Sequence, residues 1–320
     1  MKPFLVRLTK FFLLQTVIAA VVFGSAHLHF HKGYLAALGD KLDLLESEGP
    51  PRILFVGGSS VAFGIDSEQF ESFQRQPVNL GLHASLGLDF CATLAERHVR
   101  RGDLVVLMPE HSHLLAKMKP DPQLQRSLLR QCPRAAQYLD QPWPGLKTFL
   151  DQRAIPEVAC YAQAGIRRLP ANIRDDALTA LGITSGPRKR LYSRASFNRK
   201  NGDMVAHHAM KATGKPDRLP LSVSDRGKLV ESITRLNRCI AVCCRKGASV
   251  VYAYPPLPAP QYTASRTAIS EITAAIESQL NCPIITHPDT AAFPLADFFD
   301  SSGHLSVVGK RKHTAVVIAG

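Results

Sequence analysis

Arg52-Ile-Leu-Phe-Val-Gly-Gly-Ser-Ser-Val-Ala-Phe-Gly64 is the stretch that most narrows the folds open to this chain. Ile53–Val56 is a short, wholly apolar run, the pattern of a strand buried on both faces of a parallel sheet. It stops abruptly on Gly57, Gly58, Ser59 and Ser60. Two glycines let the chain turn tightly and let another group approach the backbone. The serines are thereby placed at the carboxyl rim of a sheet, where open α/β folds bind their ligands.

Three further runs have the same strand character: Leu104–Met108, Ser249–Tyr254 and Ile284–Thr286. Helical patterns separate or follow them at Leu88–Val99, Ser224–Arg245, Ala264–Leu280 and about Ser306–Ile318. Alternation of this kind predicts a doubly wound α/β sheet. It fails over about 117–221, which carries scattered prolines and the single tryptophan, Trp143. That stretch is expected to be an insertion capping or flanking the strand ends, helical at Gln123–Arg130 and Pro156–Arg168.

The N-terminus has a different character. Phe11–Ala26 is almost continuously apolar, and extension to Phe30 brings it to about 20 residues, near the length that spans a bilayer. Lys2, Arg7 and Lys10 precede it, and Lys32 and Lys41 follow. This basic bias predicts an inside N-terminus, with residues 33–320 outside the cytoplasm. Gly24-Ser25-Ala26 keeps a cleaved signal peptide open as the rival to an anchor. Residues 1–32 are thus expected to be the membrane anchor, 33–51 a helical spacer (Tyr34–Glu48), and 52–320 the α/β domain.

The formal net charge is +13, and Ala177–Gly202 contains no acidic residue while holding Arg188, Lys189, Arg190, Arg194, Arg199 and Lys200. Such a run suits an anionic partner or a solvated loop. No nucleic-acid recognition motif accompanies it, so nucleic acid is not an expected partner. The seven cysteines are scattered and odd in number, which argues against a disulfide framework. None has metal-ligand spacing with nearby histidines; Cys239 and Cys243 are expected to pack as small apolar residues.

The chemistry-bearing residues cluster at the strand ends. Ser59 is the candidate nucleophile, with Ser60 adjacent. A hydroxyl needs a base to remove its proton, and His304 offers one, in a Gly-flanked loop before the last helix. The other candidate histidines are His83, His111, His113, His207 and His208. Asp300, or in its place Asp297, would orient the imidazole. Gly58 and Gly81 lie in turns where a backbone N–H could meet an oxyanion. Glu110 follows the strand Leu104–Met108 and points by topology to the same crevice.

Val56-Gly-Gly-Ser59, Asn79-Leu-Gly81 and His304-Leu-Ser-Val-Val-Gly309 resemble the first, second and last blocks of the SGNH/GDSL hydrolases, over roughly Arg52–Leu114 and Ser249–Gly320. The resemblance implies a three-layer flavodoxin-like fold and a Ser–His–Asp site handling acyl esters through an acyl-enzyme, with no cofactor or metal. The anchor and the Gly-Gly-Ser-Ser start resemble more narrowly the SGNH-like proteins of bacterial envelope acylation, such as D-alanyl transfer and alginate acetylation proteins. That branch implies an extracytoplasmic, periplasmic domain, an envelope glycan or polymer as substrate, and a membrane-bound O-acyltransferase as partner. Three departures stand out. Gly58 replaces the usual Asp before the serine, Glu110 falls where an Asn donor is usual, and Asp300 lies four rather than three residues before the histidine. They favour slow acyl transfer over vigorous hydrolysis. They also motivate the alternative of a non-catalytic glycan-binding or scaffold domain; a lipid esterase ranks last, since no apolar lid is evident.

Overall fold

The computed structural model describes residues 2–116, 118–139, 155–180, 191–212 and 220–320. Trp143, Arg188, Lys189 and Arg190 lie outside these described residues.

Strands β1 (Arg52–Gly57), β2 (Gln76–Asn79), β3 (Leu104–Met108) and β4 (Ser249–Tyr252) form one parallel sheet in the order β2-β1-β3-β4. The run expected at Ile284–Thr286 contributes only a parallel bridge, Ile284 to Tyr252 on β4. The ladder stops there because Tyr254 N–H donates to the Thr286 hydroxyl in place of a backbone carbonyl. A second, two-stranded sheet pairs β5 (Leu257–Pro258) with β6 (Ala292–Phe293).

Period-two alternation sends β1 side chains to two cores. Leu54 and Val56 join the larger core with α2 (Ala37–Glu46), α4 (Gly87–His98), α8 (Arg226–Arg245) and α10 (Arg266–Gln279). Ile53 and Phe55 face the other way, onto Val61 of α3 (Ser59–Gly64) and Val317 of α11 (Val307–Ala319). The architecture is therefore α/β with helices on both faces of the sheet. Cys239 and Cys243 lie buried in the larger core, as expected, and all seven cysteines are free.

The segment expected to be a spacer belongs to the body of the domain. Leu38, Leu42 and Leu45 of α2 are buried in the main core, and Lys41 is buried with them. Its ammonium donates to Asn79 O at 2.6 Å and Gly202 O at 2.5 Å. At the edge of this helix lies the deepest ion pair, Arg52 with Asp103 at 2.6 Å, both side chains nearly inaccessible. The guanidinium also donates to Leu45 O and His98 O, so the charges are paired and their remaining valences filled.

Helix α1 (Lys2–His31) is, among the described residues, the one helix long and apolar enough to cross a membrane. Phe4, Phe11, Phe12, Leu13 and Leu14 on it are exposed. The insertion supplies its companion, α7 (Ile155–Ala180), longer than the sequence pattern predicted and continuous through Pro170. Tyr161 meets Phe30 with ring centroids 4.8 Å apart, and Gly165 packs against Val22, where a Cβ would sit 2.0 Å from the carbonyl oxygen. Rising numbers on α7 meet falling numbers on α1, so the two run antiparallel. Only glycine permits that approach.

The end of the insertion, 191–212, returns into the domain instead of merely flanking it. Asn79 N–H donates to Asn201 O, and Met204 N–H to Ala62 O. Asp203, buried, accepts from Ser67 N–H, Ser67 Oγ and Asn79 Nδ2. Lys310 of α11 approaches it at 3.7 Å. Two members of the basic run reach Asp40 of α2: Arg194 pairs with it at 2.7 Å, and Arg199, itself exposed, lies 3.8 Å from the same carboxylate.

Candidate active site

The order β2-β1-β3 reverses direction between β1 and β3, the switch point where open α/β sheets place their ligand crevice. Ser59 begins the helix after β1, and Glu110 directly follows β3. The two side chains meet, with Ser59 Oγ donating to Glu110 Oε1 at 3.3 Å. The same oxygen accepts the Ser60 N–H at 2.8 Å. Both glycines of the turn are required by contact. A Cβ on Gly57 would lie 2.3 Å from Met108 O, and one on Gly58 would lie 2.5 Å from Glu110 Oε1 and 2.9 Å from Ala84 Cα.

Ser59 is half-buried, whereas Ser60 is 1% exposed with an Oγ that has no hydrogen-bond partner among the described residues. A nucleophile must meet its substrate, so accessibility favours Ser59.

On the far side, His304 sits at the end of a tight loop. Phe298 and Leu305 form an antiparallel bridge, and Phe299 N–H donates to His304 O at 2.7 Å. This closure brings Asp300 Oδ1 to 2.7 Å from His304 Nδ1 across a four-residue spacing. Asp300 is thus the acid that orients His304. Asp297 is engaged elsewhere, with Lys312 at 2.9 Å, while its carbonyl accepts the Ser306 N–H.

Tyr192, from the insertion, was not expected at the site. Its hydroxyl donates to Asp300 Oδ2 and lies 3.4 Å from His304 Nδ1. Nothing in its sequence context marks it, because the contact spans more than a hundred residues. Burial alone would raise the Asp300 carboxyl. Hydrogen bonds from His304 and Tyr192 outweigh it and hold the group below the usual carboxylate range. Burial and then the Asp300 carboxylate push the Tyr192 phenol up.

The two halves share helix α3. Phe63, one turn after Ser59, stacks flat on the His304 ring at 4.0 Å and 9°. Gly303 packs against Ser60, where an added Cβ would be 3.9 Å from the serine Cβ. Among the described residues no hydrogen bond joins Ser59 to His304; the hydroxyl is held by Glu110 instead.

Gly81, expected as an oxyanion donor, is committed elsewhere. Its N–H donates to Asn79 Oδ1 at 2.9 Å. It is glycine because a Cβ there would sit 2.3 Å from Ala62 N and 2.7 Å from Gly58 O. Its role is to let the β2 loop pack against α3.

The competing histidines serve structure. His113 Nδ1 accepts the Glu110 N–H at 3.3 Å, and its Nε2 donates to Ala84 O at 2.7 Å, which fixes Glu110 in place. That assignment makes the ring neutral with its proton on Nε2. His83 accepts the Ser85 N–H. Burial lowers His111 to about 4 and His207 to about 3, so both are neutral near pH 7. His207 packs behind the site against Phe63 and Phe299, and edge-on to His208.

An open cleft of about 720 Å³ lies beside the crevice, lined by His83, Ser85, Lys119, Asp121, Gln123 and Ser127. Ala84, between His83 and Ser85, is the residue that packs on Gly58. Ala116 and Leu124 complete its walls, which expose polar and apolar surface in similar measure. Among the described residues, no cluster of His, Cys, Asp and Glu is arranged to hold a metal ion.

Comparison with protein-family models, with curated proteins and with solved structures returned no match to this chain.

Proposed function

We propose that the protein is a membrane-tethered, serine-dependent acyl-ester hydrolase or O-acyltransferase of SGNH type, acting outside the cytoplasm on an envelope glycan or polymer. The observation that carries the proposal is the convergence at one switch point. Ser59 lies at the end of β1, and an Asp300–His304 pair is stacked through Phe63 onto the helix that Ser59 begins. The parallel order β2-β1-β3-β4, with the Ile284 bridge beyond β4, supports this reading. In the proposed reaction Ser59 Oγ attacks the acyl carbonyl and its proton passes to His304. The leaving alcohol then takes that proton, and an acceptor hydroxyl or water resolves the acyl-enzyme by the reverse relay. The open cleft beside Ala84 is the proposed seat of the acceptor.

Proximity to a membrane follows the same logic. The chain just after α1 pairs with the segment carrying Tyr192: Gly33 bridges Ser193, and Arg194 N–H donates to Lys32 O. Tyr34 stacks edge-on to Tyr192 at 5.6 Å. With α1 in a bilayer, the site would sit close to the membrane surface, where a membrane-bound O-acyltransferase is the proposed partner.

The test is labelling of the full chain in detergent by a fluorophosphonate. Label on the wild type that disappears in Ser59→Ala and His304→Ala supports the proposal. A folded wild type that takes no label refutes it, and favours the second reading, a glycan-binding or scaffold domain. The observation behind that second reading is the Ser59–Glu110 hydrogen bond, which holds the hydroxyl away from the imidazole.

A further inference from the structure

Glu110 occupies both groups that an acyl-enzyme would need. One of its oxygens, Oε1, accepts the Ser59 hydroxyl at 3.3 Å and the Ser60 N–H at 2.8 Å. The hydroxyl must point at a base before it can attack. The N–H beside it is a candidate donor to the oxyanion formed from the attacked carbonyl, and Gly81 N–H, one of the two donors expected from the sequence, is spent on Asn79 Oδ1. A carboxylate at this point also opposes the reaction electrostatically, since the oxyanion would develop next to an existing negative charge.

We propose that Glu110 is a latch on the nucleophile, whose negative charge holds Ser59 and Ser60 in a resting arrangement that substrate must displace. This rests on the acyl-transfer reading of the site. A role as general base fits the geometry less well. His304, oriented by Asp300 and Tyr192, already supplies a base, and its Nε2 carries no hydrogen bond among the described residues. The latch is firmly mounted. Glu110 precedes a one-turn helix, α5 (His111–Leu115), its N–H is held by His113, and His113 is in turn tied to Ala84. The Gly58 position has no side chain, and any Cβ there would collide with the Glu110 carboxylate. The sequence combination Gly-Gly-Ser with Glu110 is thus a matched pair: the glycine makes room for the acid. A latch of this kind suits a transferase, because a serine that is idle until the correct substrate arrives does not squander acyl groups on water.

The experiment compares fluorophosphonate labelling rates of the full chain in detergent for wild type, Glu110→Gln and Glu110→Ala, each also combined with Ser59→Ala. Labelling forms the Oγ–P bond and breaks P–F; fluoride leaves and the Ser59 proton goes to His304. Glu110→Gln removes the charge at nearly constant shape. It is expected to label about tenfold faster, less than the ~10²–10³ of a complete oxyanion donor because the amide oxygen still competes for the Ser60 N–H. Glu110→Ala removes the competitor as well and is expected to exceed Glu110→Gln. Wild-type labelling with unchanged or slower labelling of both folded variants overturns the latch, and a loss of about a hundredfold in Glu110→Gln assigns Glu110 as the base instead. If no protein labels, Ser59 is not an activated nucleophile; the acyl-transfer reading then fails first, and the latch falls with it.

Discussion

Asp300→Asn tests the site most directly, because the surrounding hydrogen bonds dictate which way the new amide must face. Tyr192 donates to Oδ2, so after substitution it selects the amide oxygen for itself. The NH₂ group is then turned toward His304 Nδ1, which Oδ1 now meets at 2.7 Å. A donor there makes Nδ1 an acceptor and moves the ring proton to Nε2, the atom that must take the Ser59 proton. Loss of the charge-assisted bond alone costs about 1.5–3 kcal/mol. The wrong tautomer adds to it, as in other Ser–His–Asp sites, and the expected loss in labelling rate is about 10³–10⁴, or ~4–5.5 kcal/mol in the barrier. Asp297→Asn is the internal control. Asp297 bonds Lys312, whose side chain is half exposed, so its substitution should cost about 1 kcal/mol of stability and leave labelling unchanged. Labelling rates and denaturant midpoints are measured for both variants. Near-wild-type labelling by Asp300→Asn, or an equal labelling loss in folded Asp297→Asn, would refute the assignment of the acid.

Other consequences concern stability and the identity of the serine. Ser60→Ala removes a buried hydroxyl that has no hydrogen-bond partner among the described residues, so it should stabilise the fold by about 1 kcal/mol in denaturant unfolding and retain labelling; loss of label in a folded Ser60→Ala would transfer the nucleophile to Ser60. Asp103→Ala strands the buried Arg52 guanidinium and should cost about 3–5 kcal/mol, measured by denaturant midpoint, with a loss under 1 kcal/mol counting against the pair's importance. Burial lowers Lys41 to about 7, against about 10.4 when unfolded. Between those values the unfolded chain binds a proton that the folded one does not, so stability rises with pH across roughly pH 7–10. Lys310 is shifted the same way by burial, so Lys41→Met should flatten, and not abolish, the rise in melting temperature between about pH 7 and 9. A slope unchanged by Lys41→Met would show that Lys41 stays protonated inside the fold.

Local pattern was enough to find β1, β3 and β4, while Ile284–Thr286, read in the same way, made only a bridge. Ile53–Val56 and Leu104–Met108 are uniform apolar runs too short for helices, and each became a strand within a residue of its expected bounds. The helices between them were legible for the same reason, since an amphipathic period is a property of consecutive residues. The N-terminal apolar helix needed only its length. Ser59 and Glu110 could be placed at the carboxyl rim of the sheet because they directly follow β1 and β3 in the chain.

What the sequence could not supply was which atoms meet. Gly81 looked like an oxyanion donor, and only packing showed its N–H spent on Asn79. Asp300 was preferred with Asp297 in reserve, and it took the Phe298–Leu305 bridge to turn Asp300 toward His304 and leave Asp297 to Lys312. Tyr192, Arg194 and Asp203 belong to a segment whose composition resembles a solvated loop, yet their partners lie more than a hundred residues away. The sequence by itself determined the elements, their order and the sheet edge at which chemistry-bearing residues collect, because propensity and periodicity are local. The tertiary structure alone decided that Glu110 holds Ser59 and Tyr192 holds Asp300, because a hydrogen bond is specified by position in space and leaves no mark on the neighbours of either residue.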